Sequence, residues 1–213
     1  MKNVRIEFSK TGRAKYISHL DLMRTMTRAL RRADIPLWYT EGFNRHPYIT
    51  FAAPLSLGYE GLRETMDLRL TEDMPFDELT RRLDAVMPEG LRVWNAYEDQ
   101  MKPGLLTAAR YRLHFTCAKE TLEAFLQQDS LTVEKRTKKG GTKTVDIRPA
   151  LSDMETTAAG EHSVLTVTLP CSSADTVNPQ LIRTALAAFC GDEGVEMRVT
   201  RLSLFGPEGA AFR

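Results

Sequence analysis

The segment Glu41-Gly42-Phe43-Asn44-Arg45-His46-Pro47 sets an aromatic, an amide, a guanidinium and an imidazole in consecutive positions between turn formers. Residues of these types read nucleobases: Phe43 or the following Tyr48 can stack on a ring, and Asn44, Arg45 and His46 can hydrogen-bond to its edges, with Glu41 in the same candidate set. The residues equally fit a wide hairpin loop in which Gly42 supplies positive φ, Pro47 restarts a strand and Phe43 staples the loop to a sheet. A second group surrounds the first turn, with Lys10, Tyr16, Ser18, His19, Asp21 and Arg24. An imidazole there suits acid–base work, and His19 and His46 are expected to line one cleft. The third group, Lys135, Arg136, Lys138, Lys139 and Lys143, surrounds Gly140-Gly141. Five cations around such a turn suit phosphates, and they also suit a solvated edge hairpin protected by lysine. Asp146, just after it, reads as structural, pairing with Arg148 or a neighbouring cation. The arginines Arg24, Arg28, Arg31 and Arg32 read as the wet side of a helix.

The elements that must position these groups follow from periodicity. Val4, Ile6 and Phe8 alternate with Arg5 and Glu7, which predicts a strand with one buried face. Leu22, Met23, Met26, Ala29, Leu30 and Ala33 recur at helical spacing, and Ser18 with Asp21 forms a capping-box variant, so the helix is expected from Ser18 to Ala33. Leu37–Tyr39, Ile49–Leu57 and Thr65–Leu70 read as extended, with the Glu41–Pro47 loop interrupting a hairpin. Pro75 stands where a helix begins, Asp77 and Glu78 suit its positive end, and Leu91–Ala96 closes the unit. The order is βαββαβ. It starts again with strand Tyr111–Phe115, helix Glu120–Gln127, hairpin Leu131–Arg148, strand His162–Leu169, helix Pro179–Cys190 and strand Val195–Phe205. The expected fold is therefore α+β, two successive ferredoxin-like units with antiparallel sheets, residues 1–100 and 108–213.

Composition bounds the rest. The 213 residues are 42% hydrophobic and 27% charged, as in a folded domain rather than a disordered chain. A net charge of +1 provides no global pull toward polyanions, so such a site must come from local clustering. No apolar run approaches a membrane span, and a cytoplasmic location is expected. Cys117, Cys171 and Cys190 are odd in number and far apart, against a disulfide framework, a zinc ribbon or an iron–sulfur triplet. No metal site is expected. Walker, GxGxxG, HExxH and nucleophile-elbow motifs are absent from the sequence.

At Phe8-Ser9-Lys10-Thr11-Gly12, Ile17-Ser18-His19-Leu20-Asp21-Leu22, Glu41 to Pro47, Pro54-Leu55-Ser56-Leu57-Gly58 and Val145-Asp146-Ile147-Arg148-Pro149, the chain resembles the radical SAM-linked proteins of the DUF2344 family. That resemblance implies a setting rather than a reaction: a radical SAM protein with a cobalamin-binding-like region as partner, near genes for a ribonuclease and ribosomal proteins. By it, the iron–sulfur cluster, S-adenosylmethionine and cobalamin belong to the partner. The substrate class becomes RNA, ribosomal or transfer, or a ribosomal protein.

The leading expectation is a noncatalytic accessory module that recognises such a substrate. Two others stand beside it. One is a metal-independent RNA endonuclease of the tandem ferredoxin-like type, with His19 or His46 as acid–base and Lys10 or Arg45 steadying phosphate charge. The other is a protein-interaction scaffold, for which the basic hairpin is dispensable.

Overall fold

The computed structural model describes residues 1–136 and 140–213, and contains four α-helices and mostly antiparallel strands. Residues cluster into two compact units. The first is Met1–Thr107 with Arg201–Arg213, and the second is Ala108–Thr200. The final stretch thus clusters with the first unit, where the sequence placed all of residues 108–213 in the second.

In the first unit the chain runs β1 (Lys2–Lys10), α1 (His19–Arg32), β2 (Ile49–Phe51), β3 (Glu60–Leu70), α2 (Phe76–Asp84) and β4 (Leu91–Tyr97). β1 lies between β4 and β3 and is antiparallel to both, and β2 is antiparallel to β3. Val4, Ile6 and Phe8 meet Leu22, Met26 and Leu30 of α1 and Leu79 and Leu83 of α2 in one buried core. Burying each such side chain is worth roughly 1.5–3 kcal/mol, which fixes the β1 register. α1 begins where the capping residue dictates. Ser18 Oγ accepts from the Asp21 backbone N–H at 3.1 Å and donates to the Asp21 carboxylate at 2.7 Å.

Periodicity misjudged the other face of β1. Arg5 reads as a solvated residue, yet it is fully buried. Its guanidinium grips Asp67 on β3, donates to the Met101 carbonyl at 2.6 Å and stacks 4.1 Å from the Phe212 ring. Lys10, Glu64 and Arg201 are buried too. Arg201 forks onto the Glu64 carboxylate and donates to the Ala53 carbonyl. Gly61 is required beneath that pair, because a Cβ there would lie 2.3 Å from Glu64 Oε1.

The second unit contains β5 (Ala108–Phe115), α3 (Lys119–Leu126), β6 (Thr132–Arg136), β7 (Thr142–Asp146), β8 (Ser152–Ala159), β9 (His162–Pro170), α4 (Gln180–Cys190) and the start of β10 (Met197–Phe205). The order across its sheet is β10-β5-β9-β8, with β5 and β8 antiparallel to β9. The expected hairpin exists, but β6 and β7 pair only with each other, in a separate two-stranded sheet. The strand that lies beside β9 is β8, which the sequence did not reveal. Asp146 is structural, accepting backbone N–H groups from Leu131 at 2.8 Å and Arg148 at 2.9 Å.

Candidate functional site

The Glu41–Pro47 loop is carried by a short ladder. Trp38 N–H donates to the Arg69 carbonyl, Tyr48 N–H to the Trp38 carbonyl, and Tyr39 bridges Pro47. Within it, Thr40 N–H donates to the His46 carbonyl at 2.9 Å, and Thr40 Oγ1 lies 3.1 Å from His46 Nδ1. The same Nδ1 is 3.0 Å from the Asn44 carbonyl, a contact that requires a proton on Nδ1 and leaves Nε2 as the acceptor of the neutral ring. Gly42, at φ 124°, takes the conformation the sequence assigned it.

The loop's base is stiffened by cations between rings. The Arg69 guanidinium lies 4.9 Å from the centroids of both Trp38 and Tyr48, while its Nε donates to Asn3 at 3.0 Å. Arg31 of α1 faces the Tyr39 ring at 5.8 Å and reaches its hydroxyl at 3.3 Å. Each exposed contact of this kind is worth about 0.5–1 kcal/mol. Above this platform Phe43 is wholly exposed, at 109% of the reference area, and staples nothing to the sheet. Glu41, Asn44, Arg45 and His46 are exposed beside it, and Tyr48 is at the edge of exposure.

The first-turn group has a different character. Lys10 is 1% exposed, and its ammonium donates to the Ile17 carbonyl at 3.1 Å. Burial, opposed by Glu64 and aided by Arg201, pulls its pKa below 10.5. It supports the turn before α1 rather than a surface that meets phosphate. Tyr16 is exposed, with the Lys15 ammonium 5.3 Å from its ring. Arg24 is exposed and pairs with Asp21 at 3.2 Å. His19 packs edge-on against Phe51 at 5.3 Å, with Nδ1 buried and unbonded.

His19 and His46 are carried by different elements, His19 by the first turn of α1 and His46 by the Glu41–Pro47 loop. Phe51, against which His19 packs, pairs with Met66, while the loop holding His46 is closed by the Tyr39–Pro47 bridge just before Ile49 pairs with Leu68.

Of the basic hairpin, Lys138 and Lys139 lie outside the described residues. The backbones of Lys135 and Arg136 pair in register with Lys143 and Thr142, and Lys143 is exposed. The other two histidines form a group that the sequence reading passed over. His114 and His162 line a cavity of about 120 Å³ with Thr116, Glu196 and Arg198. Partial burial, then the charges of Arg112 and Arg198, pull the His114 pKa down. The available signal was outward alternation on β5, where Arg110, Arg112 and His114 share a face. Among the described residues no group of three or more His, Cys, Asp or Glu is placed to hold a metal, and no helix is long and apolar enough to cross a membrane.

Residues 3–179 match the sequence profile of DUF2344, described as an uncharacterized protein conserved in bacteria. The chain belongs to the DUF2344 family. No curated protein matches this DUF2344 chain. Among solved structures it is similar to a chain of a Cbf5-Nop10-Gar1 complex, with 11% identity and a TM-score of 0.52 over 94% of this chain. It spans 48% of that chain, a likeness of fold. A second structure, an unknown protein from Galdieria sulphuraria, aligns at 13% identity with a TM-score of 0.27, covering 94% of this chain and 98% of the other.

Proposed function

We propose that this DUF2344 protein is a noncatalytic recognition module that grips single-stranded RNA, ribosomal or transfer, through the Glu41–Tyr48 loop and serves a radical SAM partner. The observation that carries this reading is Phe43. A phenyl ring held wholly in water costs solvation that a stacked base would recover, about 1–3 kcal/mol per base. The loop beneath it is clasped by Thr40 and His46 and set on the Arg69 stack, so little ordering entropy opposes binding. Asn44 and Arg45 flank the ring with an amide and a guanidinium suited to base edges and phosphate. The hairpin cations Lys135, Arg136, Lys138, Lys139 and Lys143 add electrostatic reach.

The iron–sulfur cluster, S-adenosylmethionine and cobalamin are assigned to the partner, and the module works in the cytoplasm. Its units are read as two ferredoxin-like folds. Supporting that, the first has β1 between β4 and β3 with β2 on β3, and the second has the matching order β10-β5-β9-β8, the β6–β7 hairpin being an insertion. The nuclease alternative needs convergent acid–base groups, whereas His19 is packed edge-on against Phe51 with its Nδ1 buried.

The test is an anaerobic pull-down of tagged protein from its native cells after ultraviolet crosslinking. Recovery of defined RNA sites together with a radical SAM protein is expected. Proteins recovered without enriched RNA would favour the scaffold and overturn the RNA assignment.

A further inference from the structure

On the first unit's sheet, the face opposite Val4, Ile6 and Phe8 holds a cavity of about 140 Å³ lined by Glu7, Arg63, Thr65, Ser203, Phe205 and Arg213. Thr65 is only 4% exposed, and its hydroxyl oxygen is buried with no hydrogen-bond partner. An orphaned buried hydroxyl costs about 1–3 kcal/mol, a penalty that a ligand atom would relieve. The hydroxyl stays unpaired although Thr65 stands directly opposite Glu7 in the β1–β3 register. Glu7 in turn accepts one hydrogen bond from Asn95 Nδ2, at 3.0 Å on Oε2, which leaves further lone pairs on its carboxylate.

We propose that this cavity takes one guanine base, as a free guanosine nucleotide or as an everted guanine of an RNA; the second source rests on the RNA reading above. Size limits the guest, since a cavity of about 150 Å³ holds a single benzene ring. The six-membered ring enters, and the five-membered ring and sugar face the opening. Chemistry then selects the base. A hydroxyl donor beside a two-oxygen acceptor complements the guanine edge, where O6 accepts and N1–H and N2–H donate. Adenine and cytosine each offer one exocyclic amine beside acceptors, and uracil offers one N–H between two carbonyls. Phe205 gives the ring a face, and Arg63 and Arg213 supply cations for the phosphate.

Calorimetric titration of the full chain with the four nucleoside 5′-monophosphates, and of oligouridine with and without one guanine, tests the assignment. Guanine is expected to bind about tenfold or more tightly than the other bases in at least one arm. Glu7→Gln and Thr65→Val should each lose that preference. Thr65→Val should melt no lower than the parent, because its hydroxyl makes no internal hydrogen bond. Preference in the free-nucleotide arm alone names the nucleotide as the source, and preference in the oligonucleotide arm alone names RNA. Equal binding of all bases, no binding in either arm, or a preference that survives both substitutions overturns the proposal. Phe43→Ala should leave nucleotide binding intact, so failure of the loop reading is separately visible.

Discussion

Arg5 and Asp67 face each other in register across β1 and β3, the guanidinium meeting the carboxylate through Nε at 2.6 Å and Nη2 at 2.7 Å. The Arg5 side chain is wholly enclosed and that of Asp67 nearly so. Removing one partner of such a pair strands a buried charge. Asp67→Ala is therefore expected to cost about 3–5 kcal/mol of stability, whereas Arg5→Met with Asp67→Leu should cost far less. Urea unfolding of the three proteins measures both. Equal losses would mean that the pair contributes shape alone.

The same pair marks how far the sequence could be read. α1 and the core face of β1 were legible because burial there follows from local period, at 3.6 and 2 residues. Arg5 was not, since what covers it, Met101 and Phe212, lies far away in sequence. β8 was missed for the opposite reason. Ser152-Asp153-Met154-Glu155-Thr156-Thr157-Ala158-Ala159 is mostly exposed and carries no apolar alternation, and it is a strand because β9 pairs with it. In the candidate site, the loop's residue types were visible, but its clasp by Thr40 and His46 and its stack on Arg69 depend on side-chain geometry. Lys10 illustrates the converse, a lysine read as a phosphate contact and found buried.

Gly61 should not tolerate a side chain. A Cβ would meet the Glu64 carboxylate that holds Arg201, and relief would disturb a buried ion pair. Gly61→Ala is expected to destabilise by about 1–3 kcal/mol, read by denaturant unfolding. Wild-type stability would show that Glu64 can move aside freely.

His114 gives a pH signature with a definite sign. Its folded pKa lies below the ordinary 6.5, through burial first and then the neighbouring Arg112 and Arg198. Between those two values the unfolded chain binds more protons than the native one, so stability falls as pH drops from 6.5 toward the folded pKa. His114→Gln should flatten this slope in melts across that window. An unchanged slope would assign it to another group.

Asp146 acts at lower pH. Backbone N–H groups of Arg148 and then Leu131 hold its pKa below 3.8, so its contribution is present above 3.8 and lost as pH falls through the folded value. Asp146→Ala should lose stability at neutral pH and lose less on acidification, as thermal melts from neutral to acid would record. Parallel pH profiles for both proteins would contradict it.

The loop's role is tested most directly by fluorescence anisotropy of short single-stranded RNAs against the parent protein and Phe43→Ala, over a range of salt concentrations. Phe43 touches no core residue, so the substitution should change stability by less than about 0.5 kcal/mol. Affinity should fall with rising salt, and Phe43→Ala should weaken binding about tenfold, in keeping with one lost base stack. Equal affinity of the two proteins at every salt concentration, or no RNA binding by the parent, would contradict recognition through this loop.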